Sequence, residues 1–143
     1  MSAHPLEYLE AIQDEIIEVW AQELHDSNSL YTTRPIAELR QTTRQCMEAY
    51  FAAIKEEDFE PLNKFIGVIV SMRGAMSFPE HEVVDAFRGF RRIASDHLLQ
   101  GLVLGEVEVD PVSDVLDAIC QVVDYSILRF SEVYYTARTE RPH

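Results

Sequence analysis

Residues 71–92 read SMRGAMSFPEHEVVDAFRGFRR, and they join the end of one helix to the start of another. Before them lies FIGVIVSM, residues 65–72, apolar on nearly every side, which predicts a well-buried helix. Gly74 is a candidate stop, because glycine enters the left-handed conformation most cheaply. Ser77 and Glu80 have the spacing of a capping box, in which hydroxyl and carboxylate each satisfy a free N–H at a helix start. From there Val83, Val84, Phe87, Phe90, Ala94, Leu98 and Leu102 recur at helical intervals, with Gly101 and Gly105 to end the segment. The stretch is also a charge anomaly. Arg73, Arg88, Arg91 and Arg92 against Glu80, Glu82 and Asp85 give +1, in a chain whose net charge is −13.

Working outward, prolines mark the other helix starts. Pro5, Pro35, Pro61, Pro79 and Pro111 each precede an amphipathic segment closely, where the ring presets φ and the missing N–H has no helical partner to lose. Five helices are predicted. The first spans about residues 5–25, with Leu9, Ile12, Ile16, Val19 and Trp20 on one stripe and Glu10, Asp14 and Glu18 opposite. The second spans about 35–56, burying Leu39, Met47, Tyr50, Phe51 and Ile54 with Thr43 and Cys46. The third, capped by Asp58 or Glu60, carries Leu62, Phe65, Ile66, Ile69 and Met72, and Gly67 is expected to admit a close neighbour. The fourth follows the capping box, and VLGEVEV, residues 103–109, is a connector. The fifth starts at Asp110-Pro111 and runs to about Arg138, roughly 42 Å at 1.5 Å per residue. Its seam is Val112, Leu116, Ile119, Val123, Ser126, Phe130, Val133 and Ala137, alternating 3 and 4 as in a helix packed along its whole length. Acidic Asp110, Asp114 and Asp117 at its start and Arg129, Arg138 and Arg141 near its end suit the helix dipole. The expected architecture is one all-α domain.

A 143-residue chain with 47% apolar and 26% charged residues is an ordinary globular protein. Its acidity argues against nucleic acid and anionic membrane, which repel such a chain at long range. There is no apolar run of membrane-spanning length. The first residues lack the pattern of a secretory signal, and Cys46 and Cys120 sit in apolar helical patterns. Free thiols in a reducing cytoplasm are expected.

Chemistry-bearing motifs are missing. The residues three before His25, His81 and His97 are Gln22, Phe78 and Ala94, so none of these three histidines sits in the Glu-x-x-His spacing of a di-iron site, which needs that spacing on two facing helices. HExxH, CxxC, GxSxG and P-loop patterns are absent as well. No metal, cofactor or catalytic residue is expected. Glu80–His81–Glu82 reads as solvated first-turn charge, and His97 as a half-exposed helix histidine rather than a haem ligand.

Four fragments in order carry a family resemblance: IIEVW at 16–20, SMRGAM at 71–76, EVVDAFRGFRR at 82–92 and FSEVYY at 130–135. Together they resemble the N-terminal domain of the RsbT co-antagonist proteins, the RsbR family of the bacterial stressosome. The resemblance implies a globin-like helical fold without haem, dimeric, acting as a sensory input domain. It also implies a last helix that leads into a C-terminal STAS domain. This sequence stops at His143, which leaves two expectations: a domain of a longer protein, or a stand-alone relative acting on a partner in trans.

The functional expectation is a non-enzymatic, cytoplasmic signalling module, a homodimer that relays a signal through its last helix to an attached or bound effector. Leu116, Val123, Phe130 and Tyr134 are the candidate dimer or relay positions on that helix, with Tyr125 and Tyr135 adding aromatic surface. Arg73, Arg88, Arg91 and Arg92 are the candidate interaction or ligand surface, although three of them leave their helix at different angles and Asp85 is placed to pair with Arg88. The alternative is a binder, or an enzyme, that takes an anionic ligand or haem at the Arg73/Arg88/Arg92 region.

Overall fold

A computed structural model describes residues 2–140, with side chains to Ala137; Arg141 and the side chain of Arg138, assigned above to the last helix's basic end, lie outside that range. The fold is all-α. Its helices are α1 (Pro5–Ala11), α2 (Gln13–Asp26), α3 (Ile36–Glu56), α4 (Glu60–Ala75), α5 (Glu80–Val103) and α6 (Val112–Glu140), with a 3₁₀ turn at Leu30–Thr33 between α2 and α3. The count is six rather than five because the first segment breaks at Ile12, which has φ −102° and ψ 18°. The two pieces have different neighbours. α1 leans on α5 and α6, whereas α2 packs mainly on α3 and α5.

All five prolines stand at or beside a helix start: Pro5 begins α1, Pro35 and Pro79 cap α3 and α5, Pro61 is the second residue of α4, and Pro111 precedes α6. The connector carries no strand, but its Val107 forms an isolated parallel bridge with Ala3. Close by, Tyr8 of α1 lies over Gly101, where an added Cβ would come within 2.7 Å of the tyrosine ring. Gly101 is therefore a packing glycine inside α5, and Gly105, at φ +72°, is the residue that ends it.

The core is one contiguous cluster fed by all six helices. Trp20, Phe90 and Tyr50 form its aromatic centre, with Phe90 5.4 Å from the tryptophan ring and 4.8 Å from the tyrosine ring. The Trp20 indole N–H donates to the Ala86 carbonyl at 3.0 Å. α6 packs lengthwise on α5 and α4 and reaches α3, and most of its expected seam is buried, from Val112 to Phe130. α4 departs from expectation. Gly67 meets nothing within 4 Å and Val68 is 54% exposed, so this helix keeps a solvent face despite its composition. Among the described residues no helix is long and apolar enough to cross a membrane.

Candidate functional site

The turn between α4 and α5 is built differently from the capping box that its sequence suggests. Ser77 adopts φ +60°, in the left-handed region that disfavours a residue with a Cβ. Its N–H donates to the Gly74 carbonyl at 3.1 Å, and the Phe78 N–H donates to the Arg73 carbonyl at 2.9 Å. That pair of bonds is a Schellman motif, which satisfies the last carbonyls of α4. Ser77 thus ends α4 instead of capping α5, and Pro79 is the N-cap, with no side-chain bond. The motif folds Phe78 back over the preceding turn, onto Arg73.

Arg73 is the largest fully buried side chain, 1% exposed. Its guanidinium carbon lies 5.0 Å from the Phe78 ring centre and 5.1 Å from that of Tyr31. Contacts of this kind favour a desolvated cation. One Nη donates to Glu38 at 3.2 Å and contacts the Met76 sulfur at 3.6 Å. Glu38 is shared, since Arg34 grips both its oxygens at 2.8 Å. The Arg34 hydrogen bonds hold the Glu38 carboxyl below the ordinary carboxylate range against the opposing effect of partial burial, and Arg73 adds to the lowering. Burial pushes the Tyr31 phenol up to about 12, with Arg73 acting the other way. Burial likewise raises the neighbouring Cys46 thiol to about 12, so it stays protonated and is no nucleophile.

Arg88, Arg91 and Arg92 lie elsewhere. They line an open groove of about 590 Å³ between α5 and the end of α2 with the 3₁₀ turn. Each faces a carboxylate: Arg88 with Asp85 at 3.3 Å, Arg91 with Asp124 at 3.9 Å, and Arg92 with Glu23 and, at 4.0 Å, Asp96. The four arginines do not form one surface, because Arg73 is in the core. Trp20, Leu24, Tyr31 and Ala86 line both the groove and a small adjoining pocket of about 30 Å³ on which Arg73 borders. His97 lines neither space. Its Nδ1 donates to the Ile93 carbonyl at 2.8 Å and its Nε2 is 3.7 Å from Glu15, an arrangement that does not present it to a haem.

On α6, Val123, Phe130 and Tyr134 are buried within the protomer and Leu116 is half-buried. The buried three are therefore unavailable to a second copy. The outward apolar side chains are Leu128, 66% exposed, and Tyr135, 69% exposed, while Tyr125 bonds Asn63 at 2.6 Å. The buried face of α6 instead reaches the α4–α5 turn. The Tyr134 hydroxyl donates to the Phe78 carbonyl at 2.8 Å, and Ser131 donates to Glu80 at 2.9 Å. Phe130 stacks on Tyr134 at 5.3 Å. Phe78 is thus the joint of the site, with its ring on Arg73 and its carbonyl on α6. A model of the family described as the RsbT co-antagonist protein rsbRD N-terminal domain matches residues 14–142.

The chain belongs to that family.

No curated protein and no solved structure gives a significant match. Membership in the rsbRD N-terminal family makes this a signalling input domain of the stressosome type, from a family that is not one of known enzymes. The residues that sequence reasoning missed are Arg34, Glu38, Tyr31 and Phe78. Only Phe78 left a signal, as a large apolar residue inside a turn.

Proposed function

We propose that this rsbRD-type domain is a cytoplasmic homodimer whose Arg34–Glu38–Arg73 cluster is mechanically joined to α6, and that α6 hands the change to an attached or bound regulatory effector. The observation that carries the relay is the double engagement of Phe78, which touches the buried guanidinium with its ring and receives the Tyr134 hydroxyl at its carbonyl. A change in how Arg73 is compensated shifts that ring, and the carbonyl it is attached to is an acceptor for α6. Leu128 and Tyr135 are the apolar side chains that α6 offers to a second copy, replacing the buried positions expected from the sequence.

A double-mutant cycle tests the relay. Arg73→Lys and Tyr134→Phe, separately and together, should give unfolding free energies that fail to add by about 0.5 kcal/mol or more. Additive effects would show that the cluster and α6 are independent. Sedimentation tests the assembly: the dimer should persist in Tyr134→Phe and fall apart in Leu128→Glu/Tyr135→Glu. For the cellular role, removal of the chain should shift the threshold or timing of a stress-induced response, and an unchanged response would defeat the signalling assignment.

A further inference from the structure

The charge around Arg73 is not closed. Glu38 already gives both oxygens to Arg34, so Arg73 receives one 3.2 Å share of an occupied carboxylate. Two guanidiniums on one carboxylate leave a net positive charge, and the more buried of the two is 1% exposed. A buried cation needs pairing and full hydrogen bonding, yet the Arg73 Nε–H has no acceptor among the described residues. Arg73 also borders the small pocket of about 30 Å³ with Thr42, Thr43, Cys46, Ile69 and Phe87. A water molecule needs only about 10–15 Å³ on this measure, so a slightly larger single occupant fits.

The wall selects the chemistry. Thr42 donates its hydroxyl to the Leu39 carbonyl, and Thr43 donates to those of Leu39 and Arg40. The donor left over on this wall is the Arg73 Nε–H, the Cys46 thiol being engaged with Tyr50, and much of the remaining wall is apolar. One charged donor and a local positive charge suit a monovalent anion that loses little on leaving water. They do not suit phosphate or another large, strongly hydrated anion. The −13 chain opposes anions at a distance, but that field is screened beyond about 8–10 Å at physiological salt and the guanidinium acts at contact.

We infer that the Arg73 cavity is a binding site for one small, weakly hydrated monovalent anion of the halide class, reached from the groove past Tyr31. The 3₁₀ turn that carries Tyr31 is pinned to α5 through the Leu30 N–H, which donates to Glu82 at 2.9 Å. Releasing that bond lets the turn lift. Binding itself stands on the cavity; only its consequence for α6 rests on the relay proposed above.

Trp20, the single tryptophan, borders both spaces and is 3% exposed, which makes it a native probe. Bromide added at constant ionic strength should quench its fluorescence along a saturating curve. Chloride should relieve the quenching by competition, and gluconate, too large for the cavity, should not. Arg73→Lys, which keeps the charge and loses the Nε donor, should weaken the apparent affinity about tenfold or more. Because that variant is at risk of misfolding, Thr42→Ile, which fills the cavity and spares Arg73, should abolish saturation independently. Linear quenching, or equal relief by gluconate, overturns the site. So does saturation that survives Thr42→Ile. Saturable binding without altered hydrogen exchange in α6 keeps the site and sinks the relay.

Discussion

Arg73 and Arg88 are fifteen residues apart in one continuous motif, yet they live in different solvents. Arg88 is 56% exposed and pairs with Asp85 one helical turn away. Arg73 is held in the core against two aromatic rings and a shared carboxylate. What separates them is backbone. The Schellman turn at residues 73–78 drops Phe78 onto Arg73, while α5 then runs with Phe87 and Phe90 inward and Arg88 outward. The same side chain is a structural element in one place and a solvated charge in the other, and local charge alone does not tell which.

The largest expected effect breaks this contrast outright. Arg73→Ala should cost roughly 3–5 kcal/mol, the scale for emptying a large core site, whereas Arg88→Ala should stay within about 0.5 kcal/mol. Denaturant midpoints at a constant slope measure both. Equal losses would mean that the two arginines are not differently solvated. Next comes Glu38→Gln, which leaves a buried guanidinium without its carboxylate and should cost about 2–4 kcal/mol, less than the full penalty because Glu38 is partly exposed. The pH dependence has a defined sign. The Glu38 pKa is lowered in the folded protein, so its contribution is present above the unfolded carboxyl value of about 4.3 and is lost as pH falls through the folded value. The acid limb of the stability profile should therefore flatten in Glu38→Gln. At the other extreme, Tyr31 titrates near 12 against an ordinary value of 10.0. The stability linked to its neutral phenol is complete below pH 10 and disappears as pH rises to about 12, which phenolate absorbance can follow.

Much of the fold was legible because its signals are local. The prolines fix helix starts through their own φ and missing N–H, and the seam of α6 follows from spacing alone. What was not legible depended on partners. The break at Ile12 reflects which neighbours α1 and α2 meet, and no residue in the sequence marks it. Ser77-x-x-Glu80 satisfies the spacing of a capping box, but the same serine was better used to close α4, and the Glu80 carboxylate bonds Ser131 of α6 instead. Gly67 looked like a packing glycine and faces solvent, while Gly101 looked like a stop and is pressed against Tyr8. The site suffered most. Arg73 was visible as an anomaly, but Glu38 sits on a distant helix among other exposed charges, and nothing short of the tertiary fold brings it within reach.

The Schellman turn gives a smaller and opposite prediction. Ser77 stands at φ +60°, where a Cβ costs about 1–2 kcal/mol. Ser77→Gly removes that strain while raising the chain entropy of the unfolded state. The balance should be a gain of about 0.5–1 kcal/mol, seen as a raised thermal midpoint with the Arg73–Phe78 contact intact. A loss on this substitution would mean that the serine hydroxyl matters to the turn after all.

The smallest effect sharpens the comparison by its salt dependence. Arg92 faces Glu23 across the groove and Asp96 on its own helix, with 55% of its side chain exposed. Exposed pairs are worth about 0–1 kcal/mol because water and side-chain entropy oppose them. Arg92→Ala should therefore cost no more than about 0.5 kcal/mol at low ionic strength. The cost should vanish near 1 M salt, where the screening length shrinks to about 3 Å. Screening alone hardly reaches Arg73, whose guanidinium lies between two rings and is 1% exposed, so in a gluconate salt, whose anion is too large for the pocket, the cost of Arg73→Ala should be nearly independent of ionic strength. Measuring both variants at two salt concentrations separates a charge held by the fold from one held by the solvent. Equal salt sensitivity in the two would mean that the Arg73 cluster opens to water in solution.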